Sequence, residues 1–186
     1  MKIRRLETEE IVSVYHEYME RDFHTDELRP LNRILEPLQD GIYECTGMFD
    51  DGILTGYAFF VKLNRDYLLD YFAIVPDKRN QGYGSKYLAL IEEYLKDSDS
   101  LLIEVENPLY AADEQSLVTM QRRKEFYLKN GCYETGVFVN LFGVEYEVLK
   151  SKNTKSYIQQ EIKDLYRKHY RTTLPDKLYS KYVHVK

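Results

Sequence analysis

The chain has 186 residues, with no tryptophan and only two cysteines. The lone cysteines Cys45 and Cys132 provide neither a disulfide framework nor a set of metal ligands, and the four histidines lack ligand spacing, so we expect no bound metal. No run approaches the 18 apolar residues of a membrane span. Glu7, Glu9 and Glu10 stand where a signal peptide would need an apolar region. We therefore expect a cytoplasmic protein that does not bind membranes.

Charge is unevenly distributed along the chain, whose formal net charge is −5. Residues 151–186 contain nine Lys and Arg against three Asp and Glu, which leaves residues 1–150 with 17 basic and 28 acidic residues. An acidic body disfavours nucleic acid and suits cationic partners such as amines. The alternative is that the basic tail only neutralises the body. The content of 44% hydrophobic and 31% charged residues is typical of a globular protein.

Hydrophobic periodicity predicts an α/β (α+β) fold, in which helices flank a mixed, mostly antiparallel sheet. We expect residues 1–150 to form the main domain and residues 151–186 to form a basic, helical extension packed on it. The extension could cap the acceptor cleft, contribute to a homodimer, or pack on the acidic body. The predicted strands are 2–6, 42–49, 53–63, 67–75, 101–106, 132–140 and 144–149, and the clearest helices are 82–96, 118–129 and 154–170. The last helix is predicted to bury Tyr157, Ile158, Ile162 and Leu165.

One segment, residues 67–95, has the order strand, glycine-bearing turn, helix. An apolar run ends at Pro76, and Gly82 and Gly84 precede an amphipathic helix. The first turn of a helix has backbone N–H groups without partners, at the positive end of the helix dipole. Glycines leave no side chain between this backbone and a ligand. The segment therefore predicts a pyrophosphate-binding turn.

Two blocks of sequence together resemble a known family. A hydrophobic strand, Val75-Pro76 and then Arg79-x-x-Gly82-x-Gly84 are similar to motif A of the GNAT superfamily of N-acetyltransferases. Some 40 residues on, the run Arg-Arg-Lys-Glu-Phe-Tyr-Leu-Lys-Asn-Gly-Cys, residues 122–132, resembles motif B of that family. The resemblance covers roughly residues 42–149.

The resemblance implies acetyl-CoA as the ligand of this turn. Phe72 and Ile74 would then face the pantetheine arm, whose amides the edge of a strand can hydrogen-bond. Tyr127 matches the tyrosine that protonates the departing thiolate in this family. Backbone groups of one turn would bind the pyrophosphate; its residues are Arg79, Asn80, Gln81, Gly82, Tyr83, Gly84 and Ser85.

The general base is less well defined by the sequence. The usual glutamate position of the family corresponds to Leu68, which cannot accept a proton. Asp70 lies two residues on, and Glu104 and Glu106 share one face of the next predicted strand. Burial and like charge could raise the pKa of either glutamate toward neutrality. The alternative is that these glutamates pair with arginines of the motif B helix or face solvent.

These patterns predict an enzyme that transfers acetyl from acetyl-CoA to a primary amine of a small molecule, by direct transfer in a ternary complex. Glu104, Glu106 and Tyr127 are the candidate catalytic residues. Two alternatives stay open: a lysine or N-terminal acetyltransferase acting on proteins, and a module that binds acyl-CoA without transferring it. Leu68 at the usual base position keeps the last alternative open.

Overall fold

The computed structural model describes residues 1–25, 27–152 and 154–186. The chain folds into two compact units. The first unit comprises Met1–Lys62 and Leu69–Leu95, and the second comprises Leu63–Leu68 and Lys96–Lys186. The described residues form eight β-strands and seven α-helices, and every strand pairing with an assigned register within a unit is antiparallel. The predicted fold class is thus confirmed, whereas the division into residues 1–150 and 151–186 stays a prediction.

The first unit orders its strands β1-β2-β3-β4. Residues 57–61 of β3 are all fully buried, so both faces of this strand are covered. A π-helical turn, Tyr15–Met19, joins the first two helices. The elements are β1 (Lys2–Arg5), α1 (Thr8–Val14), α2 (Glu20–Asp22), α3 (Asn32–Gln39), β2 (Tyr43–Asp50), β3 (Ile53–Leu63), β4 (Asp66–Ile74) and α4 (Tyr83–Tyr94); Leu63 and the first three residues of β4 belong to the second unit.

Buried tyrosines give this core many hydrogen-bonded hydroxyls. Tyr57 donates to the Asp22 carboxylate at 3.0 Å, and Tyr87 donates to the Thr46 carbonyl at 2.9 Å. Each ring removes apolar surface from water while its hydroxyl keeps a partner, so the polar end is buried at little cost.

In the second unit, the strands that follow β4 lie in the order β5-β7-β6-β8. Glu104 lies opposite Val148 and Glu106 opposite Tyr146, so the two glutamates share one face of the sheet, as predicted. Helix α5 packs on β5 and β6, and α6 packs on β6 and β8. The elements are β5 (Ser100–Glu106), α5 (Glu114–Lys129), β6 (Cys132–Leu141), β7 (Val144–Ser151), α6 (Gln159–Thr173), α7 (Asp176–Tyr182) and β8 (Val183–Val185).

Two predicted helix boundaries were wrong, and local capping explains both. Helix α5 begins at Glu114 rather than residue 118, because the Asp113 side chain accepts a hydrogen bond from the Ser116 N–H at 2.7 Å. Helix α6 begins at Gln159 rather than residue 154, where Glu161 accepts a hydrogen bond from the Ile158 N–H at 2.8 Å.

The predicted buried face of α6 was wrong in part, because Ile162 is buried as predicted whereas Tyr157 and Leu165 are only half-buried. Ile158 is 67% exposed, and the buried residues are Ile162, Tyr166, His169 and Tyr170. The buried face of α6 therefore contains three polar aromatic side chains that were not predicted, Tyr166, His169 and Tyr170. Helix α7 and strand β8 were not predicted, because their short segments lack a clear period.

Candidate active site

The turn between β4 and α4 has the geometry expected of an anion site. Asn80 and Gly82 both adopt left-handed backbone conformations, with φ of 59° and 77°. Gly82 is the N-cap of α4, so Tyr83, Gly84 and Ser85 form the first helical turn. The N-cap residue, a glycine, has no side chain with which to cap this helix. Backbone N–H groups in the first turn of a helix have no partners within the helix, so this turn stays the candidate anion site.

Lysines surround this turn with positive charge. The ammonium groups of Lys78 and Lys86 lie 5.5 Å and 5.3 Å from the centre of the Tyr83 ring. The Tyr83 hydroxyl donates to the Asp50 carboxylate at 3.2 Å, which helps to fix the position of the ring. No motif in the sequence points to either lysine, although both lie within four residues of Gly82. They favour a polyanionic ligand.

Side chains on the approach to the turn serve its own structure. The Arg79 guanidinium pairs with the Asp22 carboxylate at 2.7 Å and donates to the Ile74 carbonyl at 2.8 Å. The Gln81 amide donates to the Asp77 carbonyl at 2.8 Å. These contacts give Arg79 and Gln81 a role in shaping the turn.

Phe72 and Ile74, the residues expected to face pantetheine, lie at the end of β4 and are half-buried. The Phe72 ring stacks on Tyr87, with centroids 5.4 Å apart. A Cβ on Gly56 of the neighbouring β3 would come within 2.8 Å of the Ile74 side chain and 3.0 Å of the Ala73 carbonyl. Glycine at position 56 therefore permits the close approach of the two strands.

The two candidate glutamates of β5 differ in their partners. The Tyr170 hydroxyl donates to the Glu104 carboxylate at 2.7 Å. Glu106 instead forms a salt bridge with Arg123 of α5, which is the arginine pairing expected from the sequence as an alternative. Arg123 is a cation that offsets the charge of Glu106, whereas the contact of Tyr170 with Glu104 is made by a phenol hydroxyl.

The carboxylate of β4 considered as a base has structural partners. Asp70 accepts hydrogen bonds from the Arg29 guanidinium at 2.8 Å and 3.3 Å, and from the Tyr43 hydroxyl. Its side chain is 8% exposed, so this contact is a largely buried ion pair. Leu68 is 1% exposed and packs in the core. Among these residues, Glu104 is the stronger candidate for the base.

Tyr127 lies near the end of α5 and is 7% exposed. Burial raises the pKa of its hydroxyl well above the ordinary value, so the phenol carries its proton at neutral pH. The Phe126 ring packs edge-on against it, with centroids 5.1 Å apart. Protonation and a fixed ring are both required of a proton donor to a thiolate. Cys132 follows at the start of β6 and is buried, as expected for a small core residue.

A cavity of about 280 Å³ opens beside Glu106, between the end of β5 and the first half of α5. Its walls combine acidic, basic and neutral polar groups with one apolar residue. The lining residues are Glu106, Asp113, Gln115, Ser116, Thr119, Met120 and Arg123. Within the described part of the chain, no group of three or more His, Cys, Asp and Glu side chains could hold a metal ion.

Comparisons with known proteins identify the family and the fold of the chain. The sequence model of the acetyltransferase (GNAT) family matches residues 5–114. No curated protein matches the chain. A solved structure from Bacteroides thetaiotaomicron, assigned to the GNAT acetyltransferases, superposes with a TM-score of 0.73 at 20% identity, covering 93% of this chain and 98% of the other.

Two further solved structures share the fold. The ribosomal-protein-S18-alanine N-acetyltransferase from Escherichia coli has a TM-score of 0.60 at 17% identity, covering 84% of this chain and 96% of its own. An aminoglycoside 6′-N-acetyltransferase complexed with coenzyme A has a TM-score of 0.57 at 11% identity, covering 84% and 99%. The acceptors of these two enzymes are a protein and a small molecule, so the fold does not indicate the acceptor here.

The family match covers more than half of the chain, and the chain belongs to the GNAT family of acetyltransferases. It is therefore an N-acetyltransferase by family, and acetyl-CoA is the cosubstrate that the family uses. The matched region includes the turn around Gly82 and both glutamates of β5, but it ends before Tyr127. None of the helices in the three described stretches is long and apolar enough to cross a membrane.

Proposed function

We propose that the protein transfers the acetyl group of acetyl-CoA to a primary amine of a small molecule, by direct transfer in a ternary complex. The observation that carries this proposal is the half-buried carboxylate of Glu104 on β5 of an acetyltransferase fold. This carboxylate accepts a hydrogen bond from the phenol of Tyr170 on α6. The acidic composition of residues 1–150 supports a cationic acceptor.

Acetyl-CoA fits the residues at the turn between β4 and α4. The left-handed Gly82 and the first helical turn would bind the pyrophosphate through backbone N–H groups, and Lys78 and Lys86 would add charge. The turn would therefore bind the acetyl donor, acetyl-CoA, and side chains elsewhere would transfer the protons.

Two proton transfers accompany the reaction. An ammonium has no lone pair, so the amine must lose a proton before it attacks the thioester carbonyl. We assign that proton to Glu104, with Glu106 as the secondary candidate. As the new C–N bond forms and the C–S bond breaks, the Tyr127 hydroxyl gives its proton to the departing thiolate. A backbone N–H of β4 would stabilise the oxyanion.

A panel of amines tests the acceptor class, with polyamines, aminoglycosides, amino acids and peptides each assayed for thiol release from acetyl-CoA. We expect a small amine to be the best substrate. Peptides as the best substrates would favour the protein acetyltransferase alternative. Absence of a thermal shift at millimolar acetyl-CoA would overturn the proposal.

Removal of one hydroxyl tests the role of Tyr127. We expect Tyr127→Phe to lower kcat at least about 100-fold at unchanged KM, because positioned acids contribute about 10²–10⁴-fold. Phe126→Leu is the matched control on the neighbouring ring and should lose far less. Acetyl-CoA binding without transfer to any amine, in wild type and variant alike, would favour the non-catalytic alternative.

A further inference from the structure

Helix α6 presents polar groups on the face that it buries. Tyr166 and His169 are fully buried and Tyr170 is 2% exposed. Their spacing of three and four residues places them in one stripe along the helix. An apolar stripe would stabilise the packing of this helix more effectively, because buried polar groups cost free energy unless they are hydrogen-bonded.

The two tyrosines of this stripe lie beside Glu104. The Tyr170 hydroxyl donates to the Glu104 carboxylate at 2.7 Å, and the Tyr166 and Tyr170 ring centroids are 4.9 Å apart. The Tyr166 hydroxyl is buried without a hydrogen-bond partner among the described residues. Burial and the nearby Glu104 carboxylate both raise the pKa of Tyr166, which keeps it protonated. One phenol therefore binds Glu104, and a second phenol lies close to the same carboxylate.

His169 completes the stripe and adds no charge to it. Both ring nitrogens are buried and lack hydrogen-bond partners within the described residues. Burial lowers the pKa of His169 to about 3, so the imidazole is neutral at physiological pH. His169 therefore contributes no charge to the buried face of α6 at physiological pH.

We infer that Tyr170 is a positioning residue for acetyl transfer, which orients the Glu104 carboxylate and favours its ionised form. This inference rests on the proposed role of Glu104 as the proton acceptor. It makes the C-terminal extension a part of the catalytic apparatus, beyond the region that the family model matches. Nothing in the sequence motifs pointed to Tyr170, because the extension lies outside both blocks of the resemblance.

A hydrogen bond donated to a carboxylate favours the charged form over the neutral acid. Removal of the Tyr170 hydroxyl should therefore raise the pH at which Glu104 titrates. A hydrogen bond to a charged group corresponds to a shift of about one pH unit. Other titratable or charged groups near this face of the second unit are Tyr166 and His169 of α6, Glu106 with its partner Arg123, and Lys150 of β7.

Carbon-13 NMR of protein labelled at the glutamate side-chain carboxyls measures this shift without any substrate. The Glu104 signal is assigned by its loss in Glu104→Gln. We expect Tyr170→Phe to raise its titration midpoint by about one pH unit. Tyr179→Phe is the control, because the Tyr179 ring on α7 packs against Arg171 of α6, and this variant should leave the midpoint unchanged. An unchanged midpoint in Tyr170→Phe overturns the inference.

A second substitution guards against misfolding of the first variant. Incorporation of 3,5-difluorotyrosine at position 170 keeps the ring and makes the hydroxyl a stronger donor, so the Glu104 midpoint should fall. The role of Glu104 is tested separately, because Glu104→Gln should abolish the acid limb of the kcat/KM profile. If that limb persists, the proposed base is wrong, whereas the NMR midpoint still decides whether Tyr170 holds Glu104.

Discussion

Substitution of Gly82 by alanine tests the effect of backbone conformation on the turn without the effect of a steric clash. Gly82 has φ of +77°, and a Cβ built there meets no atom within 4 Å. Alanine therefore causes no clash, and its effect comes only from the left-handed backbone, which costs an L-residue about 1–2 kcal/mol. If the turn relaxes to another conformation, acetyl-CoA must restore the left-handed one on binding. Since about 1.4 kcal/mol corresponds to a factor of ten, KM for acetyl-CoA should rise about tenfold.

Gly143 offers a matched control on another turn. It has φ of +90° and equally open surroundings, and it lies in the hairpin between β6 and β7. Gly143→Ala should carry the same backbone cost, with a loss of Tm of about 2–8 °C. It should leave KM for acetyl-CoA unchanged. The measurement is a pair of acetyl-CoA titrations of thiol release, with Tm values for both variants. Equal changes of KM in the two variants, or no change in Gly82→Ala, would refute the reasoning.

Two further predictions concern Arg79 and His169. Arg79→Ala should lower stability by about 1 kcal/mol, because the partly exposed guanidinium binds Asp22, and it should change KM for acetyl-CoA less than about threefold. Asp22→Asn should reproduce that loss in chemical denaturation, and a large KM effect confined to Arg79→Ala would instead indicate a phosphate contact. His169 has a pKa lowered from 6.5 to about 3, so below pH 6.5 the unfolded chain binds a proton that the folded chain excludes. Stability should fall as pH drops through that window, by up to about 1.4 kcal/mol per pH unit, and His169→Phe should flatten the decline. His184→Gln, on an exposed residue, should leave the decline unchanged in the same denaturation series.

The sequence alone determined the elements that depend on local chemistry. The apolar run of β4, the break at Pro76 and the two glycines predicted a strand, a turn and a helix start, and the structure places α4 from Tyr83. Alternation along β5 placed Glu104 and Glu106 on one face, because side chains of a strand alternate strictly. Motif spacing indicated the family, which the match over residues 5–114 confirms.

Only the tertiary structure decided which polar groups meet. Glu104 and Tyr170 are 66 residues apart, and Glu106 and Arg123 lie on different elements, so no local pattern distinguishes a neutralised carboxylate from one held by a phenol. The periodicity of α6 suggested Tyr157 and Ile158 as buried, yet the capping interaction at Glu161 starts the helix after them. The turn at Gly82 is set by the conformational freedom of glycine, which sequence shows directly. The partners of Glu104 depend on long-range packing of α6, which the chain reveals only when it is folded.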